Sequence, residues 1–381
     1  MPEAPTETEG TPAAFHLGHR RWLDGVRGTA ILLVVLFHLR ILVGGFLGVD
    51  VFFVLSGFLI TCVLAGEHDR RGSIRFGRFY LRRALRLLPA FLTYVAVCYL
   101  YVRATDPEEV GTYLRGALVA VLYLANWPAL HQTDMPLLGH TWSLAVEEQF
   151  YLLWPVLLWG MLRLGSARRT ILIVVGVGIV AAAVHRAVLF EMRPPPGPER
   201  AMHIARLYEG LDTRADALLA GCLVGLATTW GRLPRSERAI VQLKIASRLS
   251  YVGLAFMFWR AGMDHHNMYY GLYAATAVMV AIVLVRQLVA PARWLTLVLE
   301  SAPLVGLGRI SYALYLYHVL VIGALGAERF GRSAPMEALL AGSLSVAAAV
   351  ASYYLVERPF LRLKGRVAAA EPRGAEAPPP R

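Results

Sequence analysis

Ten hydrophobic blocks, each of roughly 16 to 22 residues, recur along the chain between residues 28 and 356. A helix of that length crosses the roughly 30 Å hydrocarbon core of a bilayer. The blocks are placed at residues 28–46, 47–65, 87–104, 147–164, 170–190, 214–231, 249–263, 271–289, 308–326 and 336–356. The sequence therefore predicts an all-α fold, a polytopic membrane helix bundle of about ten transmembrane helices.

The composition excludes an ordinary soluble domain, since 57% of the residues are hydrophobic, 17% are charged and the mean hydropathy is +0.51. The three cysteines lie in apolar blocks without paired spacing, so we interpret them as small core residues. In a soluble protein, a net charge of +12 would suggest binding to nucleic acid. In a membrane protein, however, basic loops mostly reflect orientation and contact with anionic lipid, so we expect a lipid bilayer and no nucleic acid as partner.

The basic loops follow alternate blocks, at residues 70–86, 163–169, 232–248, 286–293 and after Arg358. The opposite loops carry acidic residues, among them Asp106, Glu191 and Asp264. Because cytoplasmic loops are enriched in lysine and arginine, this alternation predicts that both termini are cytoplasmic and that the protein lies in the cell membrane.

The predicted membrane domain covers residues 21–362. The flanking segments 1–20 and 363–381 are rich in Pro, Ala and Glu, show no signal peptide, and are expected to be disordered tails. Within the domain, residues 113–127 are apolar but short. We interpret residues 105–146 as an outer-face segment, re-entrant without crossing, and eleven full spans remain the alternative.

His38 lies inside the first block, near the middle of the predicted helix. An ionisable side chain is costly in a membrane, so its presence there indicates a functional site. Arg27 precedes it by three helical turns, which puts the two side chains on nearly one face and on the order of 16 Å apart. Asp24 is close enough to pair with Arg27 if the helix begins that early.

A basic stripe follows the second block, because Arg78, Arg82 and Arg86 recur every four residues with Arg83 beside them. The stripe fits a juxtamembrane anchor for anionic lipid. It also fits a site for a phosphorylated cytosolic donor, since arginine binds phosphate bidentately. The sequence leaves both interpretations open.

The carboxylates Asp50 and Glu147 are further candidates for the functional site. Asp50 is the only formal charge in the second block, and it either caps that helix or orients His38 or an acceptor hydroxyl. Glu147 shares a helical face with Tyr151 and is expected to point into the bundle, whereas Glu148 is expected to be solvated.

Two more clusters lie further along the chain. Arg214 and Asp216 are interpreted as an ion pair at the membrane edge. Ser311, Tyr315 and His318 share one face, and His318 competes with His38 for a catalytic role or lines an aromatic pocket.

Seven stretches in this order resemble the acyltransferase-3 family of integral membrane acyltransferases. They are residues 23–28, the Arg27-to-His38 spacing, residues 48–60, residues 83–86, residues 142–151, residues 311–318 and residues 357–360. The resemblance spans roughly residues 20 to 362. It implies a ten-helix membrane domain that transfers an acyl group, usually acetyl from acetyl-CoA, to a hydroxyl of a sugar or a natural product.

The resemblance also implies roles for single residues. His38 resembles the essential histidine, which takes a proton from the acceptor hydroxyl or relays the acyl group. Arg27, Arg83 and Arg86 look like the arginines that hold the acyl-CoA donor.

The remaining site residues follow from the bundle that this resemblance implies. Glu147 would orient the histidine or the hydroxyl, and Asp50, Trp142 and His318 are assigned to the acceptor. No metal and no permanently bound cofactor are expected.

Three functions remain open at this point. The first is O-acylation of a surface polysaccharide, with acetyl as the expected group, and the second is acylation of a small natural product such as a macrolide. The third is a proton-coupled transporter or flippase in which His38 and His318 form a proton path. The basic cytoplasmic cluster argues against the third, because a proton relay does not need it.

Overall fold

The computed structural model describes residues 18–128, 135, 137–326 and 335–369, and within these ranges the chain is helical without strands. The described part contains fifteen α-helices: α1 (Arg21–His38), α2 (Gly48–Arg71), α3 (Phe76–Thr105), α4 (Val110–Val121), α5 (Trp142–Arg163), α6 (Arg168–Glu191), α7 (Pro198–Glu209), α8 (Leu211–Thr229), α9 (Glu237–Arg260), α10 (Tyr273–Val289), α11 (Arg293–Leu299), α12 (Ala302–Arg309), α13 (Ser311–Ala324), α14 (Pro335–Ser352) and α15 (Arg358–Ala369). Helix α15 extends to Ala369, past residue 363, where the C-terminal tail is predicted to begin. Most of the two predicted tails, residues 1–17 and 370–381, lies outside the described residues.

Six helical segments in these ranges are long and apolar enough to cross a membrane. They are Val43–Arg71, Phe76–Thr105, Arg168–Glu191, Glu237–Arg260, Met268–Val289 and Pro335–Leu363. A bent pair, α12 with α13, would add a seventh as a broken span with a 79° bend.

Three more of the predicted spans are helices whose charges lower their apolar character. Helices α1, α5 and α8 have 18, 22 and 19 residues, and each carries charged residues that the sequence analysis singled out. The helices that look least like membrane spans thus carry His38, Glu147 and Arg214.

The first helix is shorter than predicted. It ends at His38 instead of continuing to residue 46, so the prediction of a mid-helix histidine was wrong. The break follows from the chain beyond it, where Arg40 adopts a φ of 56° and a 3₁₀ turn spans Val43–Leu47. Gly45 lies so close to α1 that a Cβ there would be 2.2 Å from the carbonyl oxygen of Leu33. Glycine is required at this position because the chain folds back against α1.

Helices α2 and α8 form the centre of the bundle through small residues. A Cβ on Gly57 would meet the Leu218 carbonyl oxygen at 2.0 Å, and one on Gly221 would meet that of Val54 at 2.0 Å. Such small residues let two membrane helices approach closely. The close contact fixes the positions of Asp50 on α2 and Arg214 on α8.

The segment from residue 105 to 146 contains one complete α-helix within its described residues, α4, with 12 residues, and ends in the first turn of α5. At 1.5 Å per residue it is about 18 Å long, which is shorter than the hydrocarbon core. The short helix agrees with an outer-face segment that does not cross.

Candidate active site

A first cavity of about 730 Å³ is lined by arginines, and we refer to it as the arginine cavity. Helix α1 contributes one, the end of α2 two and the first turns of α3 four: Arg27, Arg70, Arg71, Arg78, Arg82, Arg83 and Arg86. The predicted basic stripe is helical, since α3 begins at Phe76 rather than near residue 87. Helical geometry therefore gathers the stripe and Arg27 on one cavity, a concentration of positive charge suited to phosphate groups.

One carboxylate of α5 lines the arginine cavity, and the other pairs with one of its arginines. The Ser56 hydroxyl donates to Oε1 of Glu147 at 2.7 Å, and Glu147 lines the cavity as predicted for an inward-facing residue. Nη2 of Arg83 donates to Oε1 of Glu148 at 2.5 Å, so the expectation that Glu148 is solvated was wrong. The Arg83 guanidinium also lies 3.4 Å from the ring centroid of Tyr151. Neighbouring helices α3 and α5 thus lock Arg83 by a charged hydrogen bond and a cation–π contact.

A second cavity, of about 690 Å³, lies on the other side of the site and is called the histidine cavity. Its polar wall contains His38, His140 and Glu209, and its aromatic wall contains Trp142 and Tyr208, whose ring centroids are 4.8 Å apart. One face of α7 closes it with Pro198, Ala201, Met202 and Ala205. The two predicted site residues His38 and Glu147 therefore line different cavities.

The His38 ring is oriented by two hydrogen bonds. Its Nδ1 lies 2.9 Å from the Val34 carbonyl oxygen, and the same atom lies 3.3 Å from Nε2 of His318. A carbonyl oxygen only accepts, so Nδ1 of His38 carries the proton and Nε2 is the basic nitrogen of the neutral ring.

His318 is fixed in the same way, because its Nδ1 donates to the Leu314 carbonyl oxygen at 3.1 Å. Its Nε2 therefore accepts the single Nδ1 proton of His38, which is shared with the Val34 carbonyl oxygen. His318 is fully buried and lies behind His38, outside the residues that line the histidine cavity. This position makes it a partner of His38 more than a direct contact of a bound molecule.

The sequence analysis missed His140. Both of its ring nitrogens are buried without a hydrogen-bond partner in the described part of the chain, and its ring centroid lies 5.5 Å from that of His318. Burial lowers the pKa of His140 to about 3, so the ring is neutral. The available signal was its place two residues before Trp142, where one of the seven resembling stretches begins.

Tyr315 separates the two cavities, since it and Val49 line both of them. Its hydroxyl donates to the His140 carbonyl oxygen at 2.5 Å and accepts from Ser143 at 2.6 Å. The predicted face of Ser311, Tyr315 and His318 is thus divided. Ser311 and Tyr315 line the arginine cavity, whereas His318 supports His38.

Asp50 lies in a buried ion-pair network instead of a cavity wall. Its Oδ1 accepts from Nη2 of Arg214 at 2.8 Å, and Asp216 pairs with Arg186 at 2.8 Å. The interpretation of Arg214 and Asp216 as a pair with each other was therefore wrong, because α2 and α6 supply the partners. Among the described lining residues of both cavities Asp50 does not occur. Its partner Arg214 reaches the wall of the histidine cavity, with the guanidinium 5.3 Å from the Tyr208 ring centroid.

The predicted pair of Asp24 and Arg27 is present, with Nη1 of Arg27 3.6 Å from Oδ1 of Asp24. In the described residues, histidine, cysteine and carboxylate side chains form no group of three arranged to hold a metal ion.

Comparison with known proteins identifies relatives across the chain. The acyltransferase-3 family model, described as an acyltransferase domain, matches residues 20–355. The peptidoglycan O-acetyltransferase OatA of Listeria monocytogenes is 33% identical over 318 residues, covering 79% of this chain and 49% of the relative. The O-acetyltransferase OatA of Staphylococcus aureus is 32% identical over 361 residues, covering 90% of this chain and 57% of the relative. The chain thus spans about half the length of these relatives. No solved structure matches it.

Proposed function

Because the chain belongs to the acyltransferase-3 family, we propose that it is a membrane O-acetyltransferase that moves an acetyl group from acetyl-CoA to a hydroxyl of a surface glycan. The observation that carries this proposal is the pair of cavities. One is lined by seven arginines and the other by His38, and they meet at Tyr315.

The donor occupies the arginine cavity. Coenzyme A carries a pyrophosphate and a ribose phosphate, and guanidinium groups bind such phosphates with paired hydrogen bonds. Arg27, Arg83 and Arg86 hold the donor near the wall at Tyr315, and Glu147 with Ser56 positions the groups at that end. The neutralisation of several phosphates explains why so many arginines surround one space.

The cavities also fit the proposed membrane orientation. With ten spans and both termini in the cytoplasm, the ends of α2 and α3 that carry the arginines face the cytoplasm. Acyl-CoA is found there, so the arginine cavity opens toward the donor supply. The histidine cavity then opens toward the outer half of the cell membrane.

The acceptor occupies the histidine cavity. The relatives are named as O-acetyltransferases, one of them for peptidoglycan, which favours a surface glycan. A second candidate is a small lipophilic natural product, because Phe37, Phe46, Met202 and Met263 add apolar surface to the cavity. Trp142 contacts the acceptor in either case.

His38 acts as the base. Its Nε2 takes the proton of the acceptor hydroxyl while the oxygen attacks the carbonyl carbon of the thioester. The carbon–sulfur bond breaks, the sulfur of CoA leaves with the electron pair, and the proton on His38 returns to it. The products are an acetyl ester and free CoA. The lone pair of His318 Nε2 stabilises the imidazolium through the Nδ1 proton of His38, as a hydrogen-bond acceptor behind a catalytic histidine does.

The test uses purified full-length protein with acetyl-CoA and a chito-oligosaccharide. We expect release of free CoA together with an acetylated sugar detected by mass spectrometry, and we expect His38→Ala to abolish both without loss of membrane insertion. His265→Ala is the matched control, since His265 is an exposed histidine. Full activity of His38→Ala would contradict the assignment. Movement of a substrate across vesicles without acetyl transfer would favour a transporter instead.

A further inference from the structure

The two cavities differ in their charge. The arginine cavity is lined by seven guanidinium groups, whereas the described residues that line the histidine cavity include no lysine or arginine. The sequence of the neighbouring stretch, residues 129–136, contains neither residue type. The one carboxylic acid on the described wall of the histidine cavity is Glu209.

Glu209 is the last residue of α7, beside the aromatic wall of Trp142 and Tyr208. Within the described part of the chain its carboxyl group has neither a hydrogen bond nor an ion pair, unlike nearby Asp212, which pairs with Arg206 at 2.7 Å. Nothing in the fold requires an acidic side chain at residue 209. The carboxyl group is thus available to a molecule in the cavity.

His140 is the second unsatisfied group on this wall, since both of its ring nitrogens are buried without partners in the described residues. Buried polar atoms in native proteins are nearly always hydrogen-bonded, and unpaired ones in a cavity indicate a ligand that completes them. Vicinal hydroxyl groups donate and accept, so they satisfy a carboxyl and an imidazole together.

We propose that the histidine cavity takes an uncharged, polyhydroxylated acceptor unit, with Glu209 and His140 binding its hydroxyls, and that Glu209 selects against carboxylated acceptors. The proposal rests on the proposed function and deepens it by naming the acceptor class. An acceptor carboxylate in this cavity would lose its hydration without gaining a cation, which is strongly unfavourable. Once ionised, the Glu209 carboxylate would repel it further, and like-charge contacts discriminate effectively between ligands.

The test compares two acceptors that differ only in charge. Chito-oligosaccharides carrying N-succinyl groups end in a carboxylate, and their N-succinamoyl counterparts end in a primary amide, while every hydroxyl is retained. Transfer from acetyl-CoA is measured at pH 8.5, because burial raises the pKa of Glu209 to about 8 and the carboxyl is then largely ionised. Each derivative is also tested as an inhibitor of transfer to the unmodified oligosaccharide.

For the full-length wild type we expect kcat/KM, or the inhibition constant, to favour the amide by about tenfold or more. Glu209→Gln should reduce this preference to about threefold or less, and Glu209→Lys should reverse it. Glu199→Gln is the matched control, because Glu199 is an exposed carboxylate on the same helix and should retain the wild-type ratio.

The outcomes separate the two proposals. Active variants that keep the wild-type ratio, or a wild type that uses both derivatives equally, would overturn the role of Glu209 and leave the acetyltransferase proposal standing. A wild type that transfers acetyl to no glycan, including the unmodified oligosaccharide, would overturn the glycan proposal and this inference together.

Discussion

Nε2 of His318 lies 3.3 Å from Nδ1 of His38, although the two residues are 280 positions apart. Each Nδ1 also donates to the carbonyl oxygen four residues earlier on its own helix. Helices α1 and α13 thereby set the tautomer of both rings through their own backbone carbonyl oxygens. In the proposed reaction His38 is the base and His318 is its hydrogen-bond acceptor.

Replacement of His318, the hydrogen-bond acceptor behind His38, should affect turnover more than substrate binding. For His318→Gln we expect kcat to fall about 10- to 100-fold, since a positioned base supplies about 10²- to 10⁴-fold and the amide keeps part of the hydrogen bond. The KM values for donor and acceptor should change by about twofold or less. Steady-state kinetics at saturating acetyl-CoA measures this, and a large change in acceptor KM alone would assign His318 to binding.

Loss of one arginine of the arginine cavity should weaken the binding of acetyl-CoA. Arg86→Ala should raise the KM for acetyl-CoA about tenfold, because a charged hydrogen bond to phosphate contributes roughly 1.5–3 kcal/mol, in part screened at this exposed position. Arg86→Lys should give a KM for acetyl-CoA between those of the wild type and Arg86→Ala. Arg169→Ala, an exposed arginine outside the cavity, is the control, and an equal effect of both substitutions would argue against a phosphate site.

The ion pair between Asp50 and Arg214 should matter for stability through its burial, since both side chains are 1% exposed. Asp50→Leu leaves a buried guanidinium unpaired and should lower the free energy of unfolding by about 3–5 kcal/mol. The double variant Asp50→Leu/Arg214→Met should regain most of that loss. Thermal unfolding in detergent measures both.

Asp212→Asn serves as the control for this pair, because Asp212 pairs with Arg206 at a half-exposed position. This substitution should lower the free energy of unfolding by about 1 kcal/mol or less. A double variant no more stable than Asp50→Leu would show that the network contributes more than charge compensation.

The acceptor preference should depend on pH. A carboxyl is charged above its pKa, and burial raises the pKa of Glu209 to about 8. The ratio of amide to carboxylate acceptor turnover should therefore rise between pH 7 and pH 9 in the wild type. It should rise less in Glu209→Gln, because that variant lacks the titrating carboxyl and His140 is neutral across this range. A ratio that rises equally in both proteins would place the titrating group elsewhere.

The sequence by itself determined the helical membrane architecture, because long apolar blocks are read directly from the order of residues. It also identified His38, Arg27 and the arginines of α3. A charge in an apolar block and arginines repeated every four residues are local patterns of the sequence. The pair of Asp24 and Arg27 was predictable for the same reason, as the two residues are one helical turn apart.

Tertiary packing alone decided how these groups combine. The sequence could not show that His38 ends its helix, that Glu148 and Asp50 find arginines on other helices, or that His38 and Glu147 line separate cavities. Those contacts join residues far apart in the chain, and helical periodicity gives the face of a side chain but not the helix that packs against it. His140 and Glu209 also became visible only in the fold, because an unpaired polar group is recognised by what surrounds it.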